Sequence, residues 1–251
     1  MDFYLRILPQ SGGYFLALQN AQTGRFSHHY FQEFSALKAA VENLAGEAAQ
    51  VYFAPASFVA EPDGRKQANV DQLKAFWLDI DVGVEKAEAG KAYQTQEQAI
   101  AAVDDFCRTF DLPSPILVSS GYGIHVYWPL KTTLSPREWR RTADKLKSLT
   151  DYGPTRLLAD HSRTTDFASL LRPPGTINRK VAGAPKPVKI IRDGVDVDCL
   201  EFETGIGNAL RSLKSAPTSL PHPSLPNPRP SNALMENALA MPKPCLAETC
   251  R

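Results

Sequence analysis

FWLDIDVG, residues 76–83, sets two acids two positions apart inside a run of large apolar side chains. Read as a strand, it turns Leu78, Ile80 and Val82 to one face and Asp79 and Asp81 to the other. The two carboxylates then stand about 7 Å apart, on a rise of ~3.3 Å per residue, and repel each other unless something positive lies between them. Two readings fit: a half-solvated edge strand, or a pair of hard oxygen ligands for a divalent cation.

The flanking segments alternate between strand and helix signals. On the N-terminal side, the apolar runs DFYLRIL and YFLAL flank Ser11-Gly12-Gly13, a turn; EFSALKAAVENLAG reads as a helix closed by Gly46, and VYFA as a strand. On the C-terminal side, Thr95 to Gln98 has the form of a capping box. Ala99, Ala102, Val103, Phe106, Cys107 and Phe110 then recur at helical spacing, which makes them core. PILVS and IHVYW surround Ser120-Gly121-Tyr122-Gly123, a tight hairpin. Ser135-Pro136-Arg137-Glu138 is a second capping box, opening a helix through Trp139, Ala143, Leu146 and Leu149. VKIIR, 188–192, is a late strand. The fold class is mixed α/β (α+β), in two lobes.

A chain of 251 residues with 43% hydrophobic content can bury the core of one large domain or two small lobes. No apolar run approaches the ~20 residues of a membrane span, and MDFYLRILPQ lacks the basic start and long apolar stretch of a signal peptide, so the expected compartment is the cytoplasm, with no membrane partner. Cys107, Cys199, Cys245 and Cys250 are scattered, without the spacing of a zinc site or a disulfide framework. The formal net charge of +1 offers no long-range attraction for nucleic acid, so any phosphate-binding charge must be local. From Ser215 onward prolines recur every few residues; a folded domain over 1–212 is expected, followed by a Pro-rich linker or tail over 213–251, disordered apart from a helical turn or two in ALMENALAM.

Two further clusters carry chemistry. In SSGYGIH, Ser120, Gly121 and Gly123 precede His125, and glycine-permitted backbone can approach a phosphate closely enough to donate N–H bonds. In ADHSRTTDFASLLRPPGTINRK, 159–180, Asp160 and Asp166 precede Arg172, a Pro173-Pro174-Gly175 turn, Asn178, Arg179 and Lys180. Arg offers a planar fork for phosphate oxygens and Lys a mobile point charge, although a solvated loop with a proline turn has the same composition.

Together, Asp79-x-Asp81, Ser120-Gly-x-Gly-x-His125, and Asp160 followed by Arg172 and Asn178 resemble the archaeo-eukaryotic primase superfamily, in particular the primase-polymerases of phages and plasmids. The resemblance covers about Val51 to Arg192. It implies a two-lobed core whose catalytic lobe resembles an RNA-recognition fold, and makes 1–212 a primase-polymerase catalytic domain. It selects Asp160 rather than Asp166 as the third metal acid and departs from cellular primases at Asn178, where they tend to carry His. It also implies template-dependent nucleotidyl transfer from NTP or dNTP on single-stranded DNA. Asp79, Asp81 and Asp160 would hold two Mg²⁺ or Mn²⁺ ions; Ser120, Gly121, Gly123, His125, Arg172, Asn178 and Lys180 would bind the nucleotide. Tyr122 and Asn178 are the candidates for facing the sugar 2′-position. A helicase or C-terminal helper domain is the implied protein partner, and Arg137, Arg140, Arg141 and Lys145 are candidate template contacts, although a helix with such a run is more often simply a solvated face.

Three rivals explain less. A rolling-circle nickase needs a second His two residues from the first, and the sequence there is His125-Val126-Tyr127. A D-x-D glycosyltransferase leaves the hairpin and the Arg172 segment unused. A catalytically silent replication initiator or single-stranded nucleic-acid-binding module would not need all three acids.

Overall fold

The strand that carries Asp79 is an interior one. In the computed structural model, which describes residues 2–20, 22–44, 49–60, 63–152 and 156–215, the elements run α1 (Phe3–Ile7), β1 (Tyr14–Gln19), β2 (Phe26–Phe31), α2 (Phe34–Leu44), β3 (Gln50–Phe53), β4 (Ala56–Phe58), β5 (Val70–Ile80), α3 (Val84–Glu88), α4 (Gln96–Thr109), β6 (Ile116–Ser119), β7 (Ile124–Leu134), α5 (Pro136–Thr150), α6 (His161–Thr165), β8 (Ile177–Asn178), β9 (Lys186–Pro187), β10 (Lys189–Arg192) and α7 (Cys199–Ser215). The Gly46 helix stop, ALMENALAM, Cys245, Cys250 and nearly all of the proline-rich stretch lie outside the described residues.

Strands β10-β6-β7-β5-β4 form an antiparallel five-stranded sheet, and β2-β1-β3 a separate antiparallel three-stranded one. β4 pairs with β5 only over Val70–Leu73, so among the described residues FWLDIDVG has β7 on one side and no strand on the other; its half-solvated reading falls away because both faces of Phe76–Leu78 are buried. Leu78 and Ile80 are fully buried, as alternation requires, but so are Ala75 and Trp77 on the Asp79 side. On that side the strand turns polar again at its C-terminal end, at Asp79, and Asp81 lies one residue beyond the strand.

Helices close over this sheet through aromatic packing. Trp139 of α5 meets Trp77 at a centroid separation of 4.6 Å and stacks on Phe76 at 5.7 Å, and Phe202 of α7 stacks on Phe76 at 5.4 Å. Both buried indoles find acceptors: Trp139 Nε1 donates to the Ala75 carbonyl at 2.7 Å, and Trp77 Nε1 to the Arg163 carbonyl at 2.9 Å, which ties α6 to β5. The Ser135 box is complete, with Ser135 and Glu138 each bonded to the other's backbone N–H. At α4, Thr95 caps Gln98 N–H, but the Gln98 side chain reaches Gln94 N–H instead of Thr95.

DFYLRIL, which precedes Ser11-Gly12-Gly13, is a short helix; Asp2 accepts from Tyr4 N–H at its start, and the apolar residues Phe3, Tyr4 and Ile7 bury one side. The basic face of α5 is turned in part to α7, where Arg141 and Lys145 converge on Glu203 at 3.0 and 2.7 Å, and Arg140 pairs with Asp144. These three cations serve ion pairs within the fold.

Candidate functional site

Asp79 is held on both flanks by backbone. Its cross-strand partner on β7 is His125, and where β4 has ended its carbonyl accepts the N–H of Asp160 at 2.7 Å. Residues 46 and 81 positions away in the chain are thereby placed beside it without relying on side-chain contacts. His125 is 3% exposed, with Nε2 3.7 Å from Asp79 Oδ1 and Nδ1 3.4 Å from the Tyr127 hydroxyl. The first distance is too long for a hydrogen bond.

The charges show what the site lacks. Burial, reinforced by Asp81 and Asp160, pushes the Asp79 carboxyl up to about 7, against the pull of Arg163 and Arg172. Burial and the same two arginines push His125 down to about 3, so its ring is neutral. Asp160 is pushed up by its partial burial, but hydrogen bonds from Ser162 and Arg163 outweigh this and hold it below the usual carboxylate range. Its Oδ1 accepts from Ser162 N–H at 2.9 Å, Ser162 Oγ at 2.6 Å and Arg163 N–H at 3.4 Å, capping α6. Asp81 pairs with Lys86 Nζ at 2.5 Å.

The hairpin between β6 and β7 is packed against the end of β5, which explains its glycines. A Cβ on Gly123 would lie 2.6 Å from the Ile80 carbonyl oxygen; one on Gly121, at φ +92°, would lie 2.8 Å from Asn178 Cβ. Ser120 Oγ accepts from Gly123 N–H at 3.0 Å and closes the loop. Asn178, 3% exposed, donates Nδ2 to the Ser120 carbonyl at 2.6 Å and accepts from Lys180 N–H at 2.9 Å, so its amide ties the hairpin to the segment that carries Lys180.

These residues border one cleft of about 440 Å³. Asp79, Asp81 and Lys86 form one wall, Ser120, Tyr122, Gly123 and His125 a second, and Arg163, Arg172, Asn178 and Lys180 a third, with Gln19, Gln50 and Tyr52 closing it from the three-stranded sheet. Gly121 and Asp160 sit behind the lining: Gly121 opens on the neighbouring groove with Lys186 and Lys189, and Asp160 on one with Lys91, Arg156 and His161. Asp166, set aside as a loop residue, accepts from Ala168 N–H and Gln67.

Arg163, Lys86, Gln19, Gln50 and Tyr52 were not anticipated. Arg163 had a signal, since it stands three residues after a helix-capping acid. The two glutamines and Tyr52 had none, because only the pairing of β1 and β3 brings them to the cleft.

The donor chemistry fits divalent cations. Asp79 and Asp81 offer hard oxygen ligands on one wall; the Asp79 pKa is raised first by burial and then by the neighbouring carboxylates, and a bound cation would offset both. As placed, however, no three carboxylates or histidines among the described residues converge on a metal position, because the Asp160 side chain is turned to its helix cap.

No family model matches the sequence, and no curated protein does. Among solved structures, the AEP domain of the cyanophage S-2L primase-polymerase is similar with a TM-score of 0.53 and 15% identity, over 82% of this chain and 90% of that one. The primase RepB′ is similar with a TM-score of 0.50 and 13% identity, over 80% of this chain and 59% of that one. The cysteines at 107 and 199 are free, and among the described residues no helix is long and apolar enough to cross a membrane. Antiparallel sheets, covering helices and these likenesses agree that the chain has the fold of the archaeo-eukaryotic primase superfamily.

Proposed function

We propose that this protein is a template-dependent DNA primase or polymerase that transfers nucleotides from NTP or dNTP on single-stranded DNA. The observation that carries the reading is the meeting, in one cleft, of an acidic wall (Asp79, Asp81) and a cationic one (Arg163, Arg172, Lys180). That is the charge pattern required by a metal-bound triphosphate.

Asp79 and Asp81, joined by Asp160 after its side chain turns from the cap, would hold two Mg²⁺ or Mn²⁺ ions. When bound, these lower the pKa of an attacking 3′-hydroxyl and neutralise a departing pyrophosphate. The chain's own groups bind and orient the nucleotide. Arg172 and Lys180 bind phosphate oxygens, the first as a fixed fork and the second as a mobile charge at the cleft mouth. His125, neutral because it is buried between cations, donates one ring N–H and accepts no proton during turnover. Ser120, Gly121 and Gly123 hold hairpin backbone close to the phosphates, and Asn178 holds the hairpin. The domain would comprise 1–212, act in the cytoplasm of a prokaryote or phage-infected cell, and work with a helicase or a C-terminal helper domain.

One observation favours the second reading, a nucleic-acid-binding module of the same fold without turnover: Asp160 is engaged as a helix cap. Incorporation of labelled dNTPs and NTPs on single-stranded DNA, with and without primer, in Mg²⁺ and in Mn²⁺, separates the two. Product that disappears in the Asp79→Ala, Asp81→Ala double variant supports transfer. No product under any condition, with DNA binding retained, establishes the silent module.

A further inference from the structure

Arg172 is 8% exposed, and among the described residues it forms no close ion pair, although Asp79 acts on it at longer range. A buried cation with no anion in contact is costly, and such a charge persists where a ligand supplies one. Neutral groups of β3 hold it meanwhile. Phe53 N–H donates to the Leu171 carbonyl at 2.9 Å and Leu171 N–H to the Phe53 carbonyl at 3.0 Å, an antiparallel bridge that fixes the backbone just before Arg172. One residue back on β3, the Tyr52 ring lies under the guanidinium, whose carbon is 4.3 Å from the ring centroid. Two residues further back, on the same strand face, Gln50 Oε1 accepts from Arg172 Nη2 at 2.6 Å. The Tyr52 hydroxyl donates in turn to Gln19 Oε1 on β1 at 3.3 Å.

We propose that Tyr52 and Gln50 are positioning residues: they fix the plane of the Arg172 guanidinium so that its remaining N–H groups face the polyphosphate of a nucleoside triphosphate. The three-stranded sheet, which supplies none of the acids, thus sets the phosphate-binding geometry of the site. A stacked guanidinium keeps its charge and its in-plane donors while losing rotational freedom, so less entropy is lost when phosphate arrives. The inference rests on the nucleotide-binding reading above.

The test is equilibrium binding of ATP and of inorganic tripolyphosphate to the full chain, read by calorimetry, with thermal melting as the check on folding. Tyr52→Leu should weaken both ligands about five- to tenfold, the scale of a partly desolvated cation–π contact. Tyr52→Phe, which keeps the ring, should stay within about twofold. Gln50→Ala, about threefold weaker, carries the same prediction if Tyr52→Leu does not melt cooperatively. In an Arg172→Ala background the Tyr52→Leu loss should vanish, whereas a merely structural role would leave it undiminished. Wild-type binding lost in Arg172→Ala but untouched by Tyr52→Leu and Gln50→Ala overturns the positioning role alone. Failure of the wild type to bind either ligand overturns the nucleotide-binding reading and this inference with it.

Discussion

Asp160 gives its backbone N–H to the carbonyl of Asp79 at 2.7 Å, just where the β4 side of β5 is no longer paired. The bond suspends the first turn of α6 from the end of β5. The position of the third acid is therefore set by main chain, and its side chain remains able to change partner. At present that partner is the helix it caps.

The two roles of Asp160 can be separated by substitution. Asparagine caps a helix about as well as aspartate, so Asp160→Asn should keep stability within ~0.5 kcal/mol, while Asp160→Ala should lose about 1 kcal/mol. Nucleotide incorporation on a primed template should fall about 100-fold in both. An Asp160→Asn protein with wild-type incorporation would confine Asp160 to capping.

Asp79 should destabilise the cation-free protein at neutral pH. Its folded pKa, about 7, stands above its ordinary value of 3.8, so the folded state holds the proton more tightly than the unfolded chain. The resulting penalty is absent below pH ~4, grows as pH rises to 7, and is constant above. With 27% of the side chain facing the cleft, solvent screening holds the penalty to about 2 kcal/mol. Urea denaturation in chelator should show Asp79→Asn more stable than wild type by about that amount at pH 8, with the gap closing toward pH 4. Equal stability at both pH values would remove the strained-acid account.

The sequence exposed the chemistry better than its support. Asp79, Asp81, His125 and Arg172 were legible because their strand, hairpin and proline turn carry local signals: alternation, paired glycines, a rigid dipeptide. The same locality left Tyr52 and Gln50 invisible, since their place depends on β3 pairing with β1 and bridging to Leu171. It also hid that Trp77 is as buried as Leu78, because alternation cannot tell whether helices will cover the second face. DFYLRIL carries no decisive period, because an apolar-rich run this short fits helix or strand; the Asp2 cap marks its helix.

His125 works in the opposite sense to Asp79. Its pKa, lowered from 6.5 to about 3, means that the fold favours the neutral ring. That stability is fully present above pH ~6.5 and is lost as pH falls toward 3. In His125→Gln, neutral at every pH, the stability difference from wild type should move by about 2–4 kcal/mol in the variant's favour between pH 8 and pH 4. The incorporation rate should show no inflection near 6.5 that disappears in the variant. Such an inflection would mean that His125 titrates during turnover.

Gly123 tests whether the hairpin must touch β5. An added methyl would sit 2.6 Å from the Ile80 carbonyl oxygen, well inside van der Waals contact, and the obstacle is backbone of an interior strand that cannot yield. The hairpin must move instead, carrying Ser120 and the start of β7 with it, and His125 lies two residues on. Gly123→Ala should therefore cost about 1–3 kcal/mol and weaken ATP binding, while Gly205→Ala on α7, where a Cβ would meet nothing within 4 Å, should raise stability by about 0.5–1 kcal/mol. Thermal melting and ATP titration of the two variants read both effects. A Gly123→Ala protein that melts and binds ATP like wild type would show that the hairpin can shift without disturbing the site, and the close packing against Ile80 would then have no part in nucleotide binding.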